Sequence, residues 1–205
     1  MLTLLSARTL HTMTRPVPNP SASLAAGPLV LAGLILLAAL TRVLPHPPNF
    51  SPVAAIALFG GAYFAARAWA VIVPLVALFL SDLVLASLNG GAYASWFSGA
   101  GIWLVYGCIA LTAVMGYGLR GRATGSAVLG YSLAGSVLFF VATNFGAWLG
   151  NPMYPQTAAG LAASYTAGIP FFQWSLLGTL FYAALLFGGF ALLRRQLPAL
   201  RAQTV

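Results

Sequence analysis

Acidic residues are almost absent from this chain. Its 205 residues include one, Asp82, against nine cations that are all arginine, so the formal charge is +8 and lysine is missing altogether. Charged residues make up 5% and hydrophobic residues 60%, where a soluble domain carries about 25% charged. So few charges cannot cover a water-facing exterior, which excludes soluble enzymes and disordered linkers. The positive balance is no nucleic-acid footprint, because the arginines are scattered among long apolar runs and form no patch. A single cysteine, Cys108, excludes an internal disulfide. One acid and two histidines leave too little for the nucleophile–base or paired-acid sets of a hydrolase, and their spacing matches no metal-ligand motif. What the chain has in quantity is apolar sequence, and it reads as an all-α integral membrane protein.

About 20 apolar residues cross a hydrocarbon core of ~30 Å. Runs of this kind cover residues 24–44, 52–66, 68–88, 98–119, 126–149 and 170–193, the second being short and rich in alanine and glycine. Pro45-His46-Pro47-Pro48 closes the first, Asn89-Gly90-Gly91 the third and Gly150-Asn151-Pro152 the fifth, while Pro170 opens the sixth. Cytoplasmic loops carry the excess of positive charge. With the N-terminus inside, Arg8, Arg15, Arg67, Arg120, Arg122, Arg194, Arg195 and Arg201 all fall on one side, and only Arg42 falls on the other. The expected architecture is a six-helix bundle with both termini cytoplasmic. Residues 1–23 form a mobile tail without the apolar h-region of a signal peptide, with Met13 as an alternative start. Residues 24–193 form the membrane domain and 194–205 a second cytoplasmic tail.

Polar residues inside spans are costly, and each is a functional candidate. Asp82 and Arg42 both fall in the outer third of their spans. They are expected either to pair as a salt bridge that pins two helices or to border a polar cavity opening outward. Thr143, Asn144, Gln173 and Trp174 also fall in the outer half, with His46 just above, and the inner halves show no comparable group. A channel would need polar lining at both ends, so the pattern favours a pocket. The outer connections 89–97, with Tyr93, Trp96 and Phe97, and 151–169, with Met153, Tyr154 and Tyr165, read as an aromatic interface belt or as a lid. Cys108 reads either as a small hydrophobe or as one soft sulfur ligand for a metal cofactor. Small residues four apart, Ala62/Ala66/Ala70 and Gly61/Ala65, allow close helix packing or a partner interface.

Several segments occur together: Arg42-Val-Leu-Pro-His-Pro-Pro-Asn-Phe50, Ser51-Pro-Val-Ala-Ala-Ile-Ala-Leu-Phe-Gly-Gly-Ala-Tyr-Phe64, Leu80-Ser-Asp-Leu83, Thr143-Asn-Phe-Gly-Ala-Trp-Leu149, Tyr154-Pro-Gln-Thr157 and Ile169-Pro-Phe-Phe172. From about Arg42 to Gly189 the chain resembles uncharacterised six-helix bacterial membrane proteins. These are similar to the substrate-binding (S) components of energy-coupling factor (ECF) vitamin transporters, including the BtuM-like cobalamin type. The resemblance implies capture of substrate from the outer face under loop caps, then transport by toppling of the subunit in the membrane. In the cobalamin version Cys108 would contact cobalt. Thr179 departs from the pattern, because relatives carry an acid there. The first span offers only Ala22/Ala26 as a small-residue face for an ECF transmembrane partner, which leaves a solitary transporter open.

The sequence therefore predicts a multi-pass protein of the bacterial cytoplasmic membrane. It captures a vitamin- or cofactor-type molecule, cobalamin being one candidate, and is not an enzyme. Its expected partners are the bilayer, a small-molecule ligand and an ECF transmembrane/ATPase module, with no nucleic acid and no intrinsic cofactor. The expected ligand-facing residues are Arg42, His46, Asp82, Trp96, Cys108, Asn144, Tyr154, Gln173 and Trp174. The alternative is a membrane scaffold or assembly protein.

Overall fold

The computed structural model describes residues 26–90, 99 and 101–205, which are helical with no strand among them. Helix α1 (Ala26–Leu40) runs into a 3-10 turn (Thr41–Val43), followed by α2 (Val53–Tyr63), α3 (Arg67–Asn89) and α4 (Gly101–Met115) with its 3-10 extension Gly116–Leu119. Helix α5 (Gly125–Gly150) precedes α6 (Ala158–Ala183), which continues through a π-helical turn (Ala184–Gly188) into α7 (Gly189–Gln196), and α8 (Pro198–Gln203) ends the chain. Four helical stretches are long and apolar enough to cross a membrane: Arg67–Asn89, Gly101–Leu119, Gly125–Gly150 and Ala158–Gln196. Gly27–Val43 and Val53–Tyr63 are apolar but shorter. Trp69, Trp103, Leu111, Phe145 and Phe181 lie exposed on the flanks of these helices, as expected where lipid rather than water is the solvent.

The short helix α2 is the centre of the bundle. Every residue from Ala55 to Tyr63 is buried, and α2 touches α1, α3, α4, α5 and α6. At 1.5 Å per residue it is only about 17 Å long. A helix enclosed on all sides needs no amphipathic pattern, which is why its run of alanine, glycine and leucine reads as a weak span in the sequence. Small residues let its neighbours approach closely. A Cβ on Gly61 would collide with the Ala113 carbonyl oxygen, and one on Gly116 would come within 2.5 Å of the Leu58 carbonyl oxygen. A Cβ on Gly60 would meet the Pro74 ring at 2.7 Å. Gly61, Ala62 and Ala70, picked out by their spacing, thus serve internal packing. Toward one end Phe59 is edge-packed by Tyr63, Phe187 and Phe190 at centroid distances of 5.1, 5.4 and 5.4 Å.

The end of the bundle beyond this aromatic cluster holds the arginines. Arg120 donates from Nε to the Gly61 carbonyl (3.0 Å) and from Nη2 to that of Phe64 (2.8 Å), closing the C-terminus of α2. It lies over the Tyr117 ring at 4.5 Å, and Arg67 lies over the same ring at 5.8 Å. Arg194 sits over Tyr63 at 5.5 Å and donates to the Val205 oxygen, while the Val205 amide donates to the Tyr63 carbonyl at 3.1 Å. The segment 194–205 folds back on the bundle with Leu200 and Thr204 buried. Arg42 stands at the opposite end, on the turn that closes α1.

The expected long loop 151–169 is corrected. Helix starts at Ala158, where the Thr157 hydroxyl accepts from the Gly160 amide at 3.1 Å as an N-cap. It then runs unbroken through Pro170 to Gln196, 39 residues in all. Proline usually breaks a helix interior, but in apolar surroundings no water is present to take over the released backbone groups, and the helix persists. What remains between α5 and α6 is a tight turn. The Trp148 indole donates to the Pro155 carbonyl at 2.9 Å, and the Gln156 amide donates to the Trp148 carbonyl at 2.6 Å. The other expected aromatic loop, with Tyr93, Trp96 and Phe97, lies outside the described residues.

Prediction from the α2–α4 crossing: Gly116→Val destabilises the protein by about 1–3 kcal/mol through overpacking, read as a lower thermal midpoint in detergent. Gly33→Ala, where an added Cβ meets nothing within 4 Å, leaves the midpoint unchanged.

Candidate functional site

The turn 45–51 shapes the arginine-poor end. Phe50 N–H donates to the Pro47 carbonyl at 3.0 Å, and Asn49 adopts φ 64°, a left-handed conformation that asparagine tolerates. Phe50 then packs on Phe181 and Tyr182 at centroid distances of 5.7 and 5.9 Å. Helix α6 can press against this turn because residue 178 is glycine, where a Cβ would lie 2.6 Å from the Ser51 nitrogen.

Arg42 and Asp82 meet just below the turn. Arg42 Nη1 donates to Asp82 Oδ1 at 2.6 Å and to Ser81 Oγ at 2.5 Å, and Ser81 Oγ in turn donates to the Leu78 carbonyl at 2.8 Å. The Tyr106 hydroxyl donates to Asp82 Oδ2 at 2.9 Å. Asp82 is 2% exposed, so a carboxylate there is tenable only with its charge matched and its oxygens bonded. The group joins α1, α3 and α4. One residue earlier, the Thr41 hydroxyl shares a 2.7 Å hydrogen bond with the Tyr182 hydroxyl, tying the end of α1 to α6 as well.

Beside this network lies a cavity of about 390 Å³. Arg42, Asp82, Ser136, Ser175 and Thr179 contribute polar wall, while Leu78, Leu85, Val105, Ile109 and Phe139 contribute apolar wall, with His46 and Asn49 at the edge. Ser51, Val53 and Ala54 bring the N-terminal end of α2 into the same wall. A second cavity of about 150 Å³ shares Asn49, Ser136, Phe139 and Ser175 with the first and reaches Thr143, Asn144 and Gly168 between α5 and α6. Asn144 Nδ2 donates to the Phe140 carbonyl at 2.8 Å, and Ser164 donates to the Asn144 carbonyl at 2.8 Å. Gly168 leaves room for the Asn144 amide, which a Cβ would strike. The Ser136 and Ser132 hydroxyls, one turn apart on α5, are buried without a hydrogen-bond partner.

Of the residues expected to face a ligand, Arg42, His46 and Asp82 line the larger cavity and Asn144 the smaller. His46 presents Nδ1 to the Pro47 carbonyl at 2.9 Å and Nε2 to that of Arg42 at 3.1 Å, bracing the turn. Gln173 and Trp174 line neither cavity and are exposed on α6. The cause is helical periodicity. Gly168, Phe171, Phe172, Ser175 and Thr179 share one face, and Gln173 points about 160° from Ser175 at ~100° per residue. Tyr154 lies half-buried in the α5–α6 turn, and Cys108 is 3% exposed inside α4, both outside the cavity walls. Trp96 lies outside the described residues. Sequence reasoning missed Tyr106, Asn49, Ser136 and Ser175. Ser132/Ser136 within an apolar run was a usable signal, whereas nothing in the sequence sets the rotation of α4 that aims Tyr106 at Asp82. Among the described residues no three His, Cys, Asp or Glu side chains gather as a metal site.

Fold and site together define an all-helical protein with four helices fit to cross a membrane, and with a small-molecule-sized cavity beside a buried ion pair. The chain belongs to the family of unknown function DUF6580, whose model matches residues 23–200. No curated protein and no solved structure matches it.

Prediction from the network: Arg42→Leu leaves Asp82 buried without its cation and lowers unfolding stability by roughly 3 kcal/mol. The double change Arg42→Leu with Asp82→Leu recovers most of that loss, because it removes both charges together. Denaturant unfolding of the two variants in detergent checks the ordering.

Proposed function

We propose that this protein is a membrane-embedded capture subunit, of the kind used in vitamin uptake, which takes a compact vitamin- or cofactor-type molecule into the cavity beside Arg42 and Asp82. In this reading the chain crosses the bacterial cytoplasmic membrane six times, with the arginine-rich end cytoplasmic and the cavity end outward. Six passes are reached by counting the two shorter apolar helices, α1 and α2, as short passes supported by their neighbours. The carrying observation is the cavity itself. At about 390 Å³ it falls within the range of small-molecule sites, about 300–1,000 Å³, and it lies at the end away from Arg67, Arg120 and Arg194, as the charge rule demands of an outer face.

The size of the cavity favours a compact ligand over a corrin. A cobalamin version rests on Cys108 as a cobalt ligand, and Cys108 stands outside the wall. Energy-coupling factor kinship, with its transmembrane and ATPase partners, rests on the sequence resemblance. The scaffold alternative draws less from the structure, since Gly61, Ala62 and Ala70 are consumed in internal contacts and only Ala65 and Ala66 of that small-residue set are exposed.

A panel of water-soluble vitamins, cobalamin included, tests the reading by thermal shift of the purified protein in detergent. At least one compact member raises the midpoint, and Ala54→Phe, which fills the cavity, removes that rise. Stabilisation by none, together with a stably co-purifying membrane protein, would instead support the scaffold.

A further inference from the structure

The chemistry of the cavity wall says what kind of molecule fits it, granted the capture reading above. Two charges stand in the wall and they satisfy each other. Arg42 is held by Asp82 and Ser81, and Asp82 is held by Arg42 and Tyr106. The other wall residues, apart from His46 at the edge, carry no ionisable side chain. An anion entering here meets the Asp82 carboxylate, and a cation meets the Arg42 guanidinium. Either would shed water in a largely apolar chamber without a counter-charge of its own.

Hydrogen-bond donors, by contrast, are left over. Ser136 is 3% exposed, belongs to the wall of both cavities, and its hydroxyl has no partner. A buried hydroxyl left in this way is destabilising unless something accepts from it. Across the same chamber α2 opens on Pro52, which supplies no side-chain cap; the Val53 amide donates to Ser51 Oγ at 3.4 Å, and the next residue of the first turn, Ala54, lies in the wall beside it. The first N–H groups of a helix have no intrahelical acceptor and carry a partial positive charge of about half a unit. That suits a carbonyl dipole, while a full carboxylate also pays repulsion from Asp82. The Thr179 hydroxyl donates to the Ser175 carbonyl at 2.9 Å, and Ser175, which also lines both cavities, is only half-buried, so Ser136 is the wall hydroxyl that is both buried and without a partner.

We infer that the cavity selects an uncharged molecule that presents a carbonyl-type acceptor on a compact apolar or aromatic frame, with Ser136 as the specificity-determining donor and the Arg42–Asp82 pair excluding ions of both signs. Three near-isosteric probes separate charge from shape: benzamide, benzoate and benzamidinium. Their affinities are measured by saturation-transfer NMR or millimolar thermal shift on the full chain in a neutral detergent. Benzamide binds the unaltered protein at least tenfold more tightly than either ion, and Ser136→Ala weakens it about tenfold. Asp82→Asn moves the preference toward benzoate, and Arg42→Gln moves it toward benzamidinium. Because these two variants disturb the network in opposite directions, either one that folds suffices. Benzoate or benzamidinium matching benzamide on the unaltered protein overturns the inference. So does an unchanged benzamide affinity in Ser136→Ala, or binding by none of the three. The vitamin panel judges the capture reading separately: a charged vitamin that binds and is displaced by Ala54→Phe preserves capture while defeating the selection for neutral ligands.

Discussion

A carboxylate with 2% exposure in a chain that has no other acid is the constraint on which the cavity end of the bundle depends. Burial of that charge is tolerable only if a cation and hydrogen-bond donors reach it. Arg42 must therefore come down from the end of α1, and Tyr106 must turn inward from α4. Those two requirements fix three helices relative to one another. The 3-10 turn Thr41–Val43 sets Arg42 at the right height, and its neighbour Thr41 binds Tyr182 on α6. A cavity persists beside this network because the side chains there spend their length on one another and leave space unfilled.

A second constraint comes from the core. Helix α2 is short and is enclosed from Ala55 to Tyr63, so the other helices pack around it as a central post. Gly61 and Gly116 let α4 reach the α2 backbone, and Gly60 admits Pro74 of α3. The post stops at Pro52, and the chamber lies beside its N-terminus. The cavity thus follows from the length of one helix as much as from the residues lining it. At the other end Arg120 bonds the C-terminus of α2 and Arg194 lies over Tyr63 of the aromatic cluster around Phe59.

Much of the architecture was legible because lipid solvation enforces simple rules. Long apolar runs must be helical, and the third, fourth and fifth came within a few residues of the observed α3, of α4 with its 3-10 extension, and of α5. The Arg42–Asp82 pairing was legible too, since two lone opposite charges at one depth have strong reason to meet. The start of α6 was not. Pro170 looks like a helix opener, but the Thr157 cap and the apolar surroundings carry the helix through it. Gln173 and Trp174 were placed by depth alone, and depth does not distinguish the cavity side of a helix from its lipid side.

The sequence by itself determined that this is an all-helical chain rich in apolar runs, that Arg42 stands apart from the other arginines of the helical region, and that its single acid needs Arg42. Composition and linear spacing suffice for these, because they reflect the cost of placing polar groups in an apolar solvent. Only the tertiary structure decided which side of each helix meets the cavity, that Ser136 and Ser175 belong to it, that Tyr106 braces the ion pair beside it, and that Cys108, Gln173 and Trp174 lie outside its wall. Those outcomes depend on the rotation of each helix about its own axis, and that rotation is set by close contacts such as Gly61 on Ala113 and Gly178 on Ser51, between residues far apart in the chain.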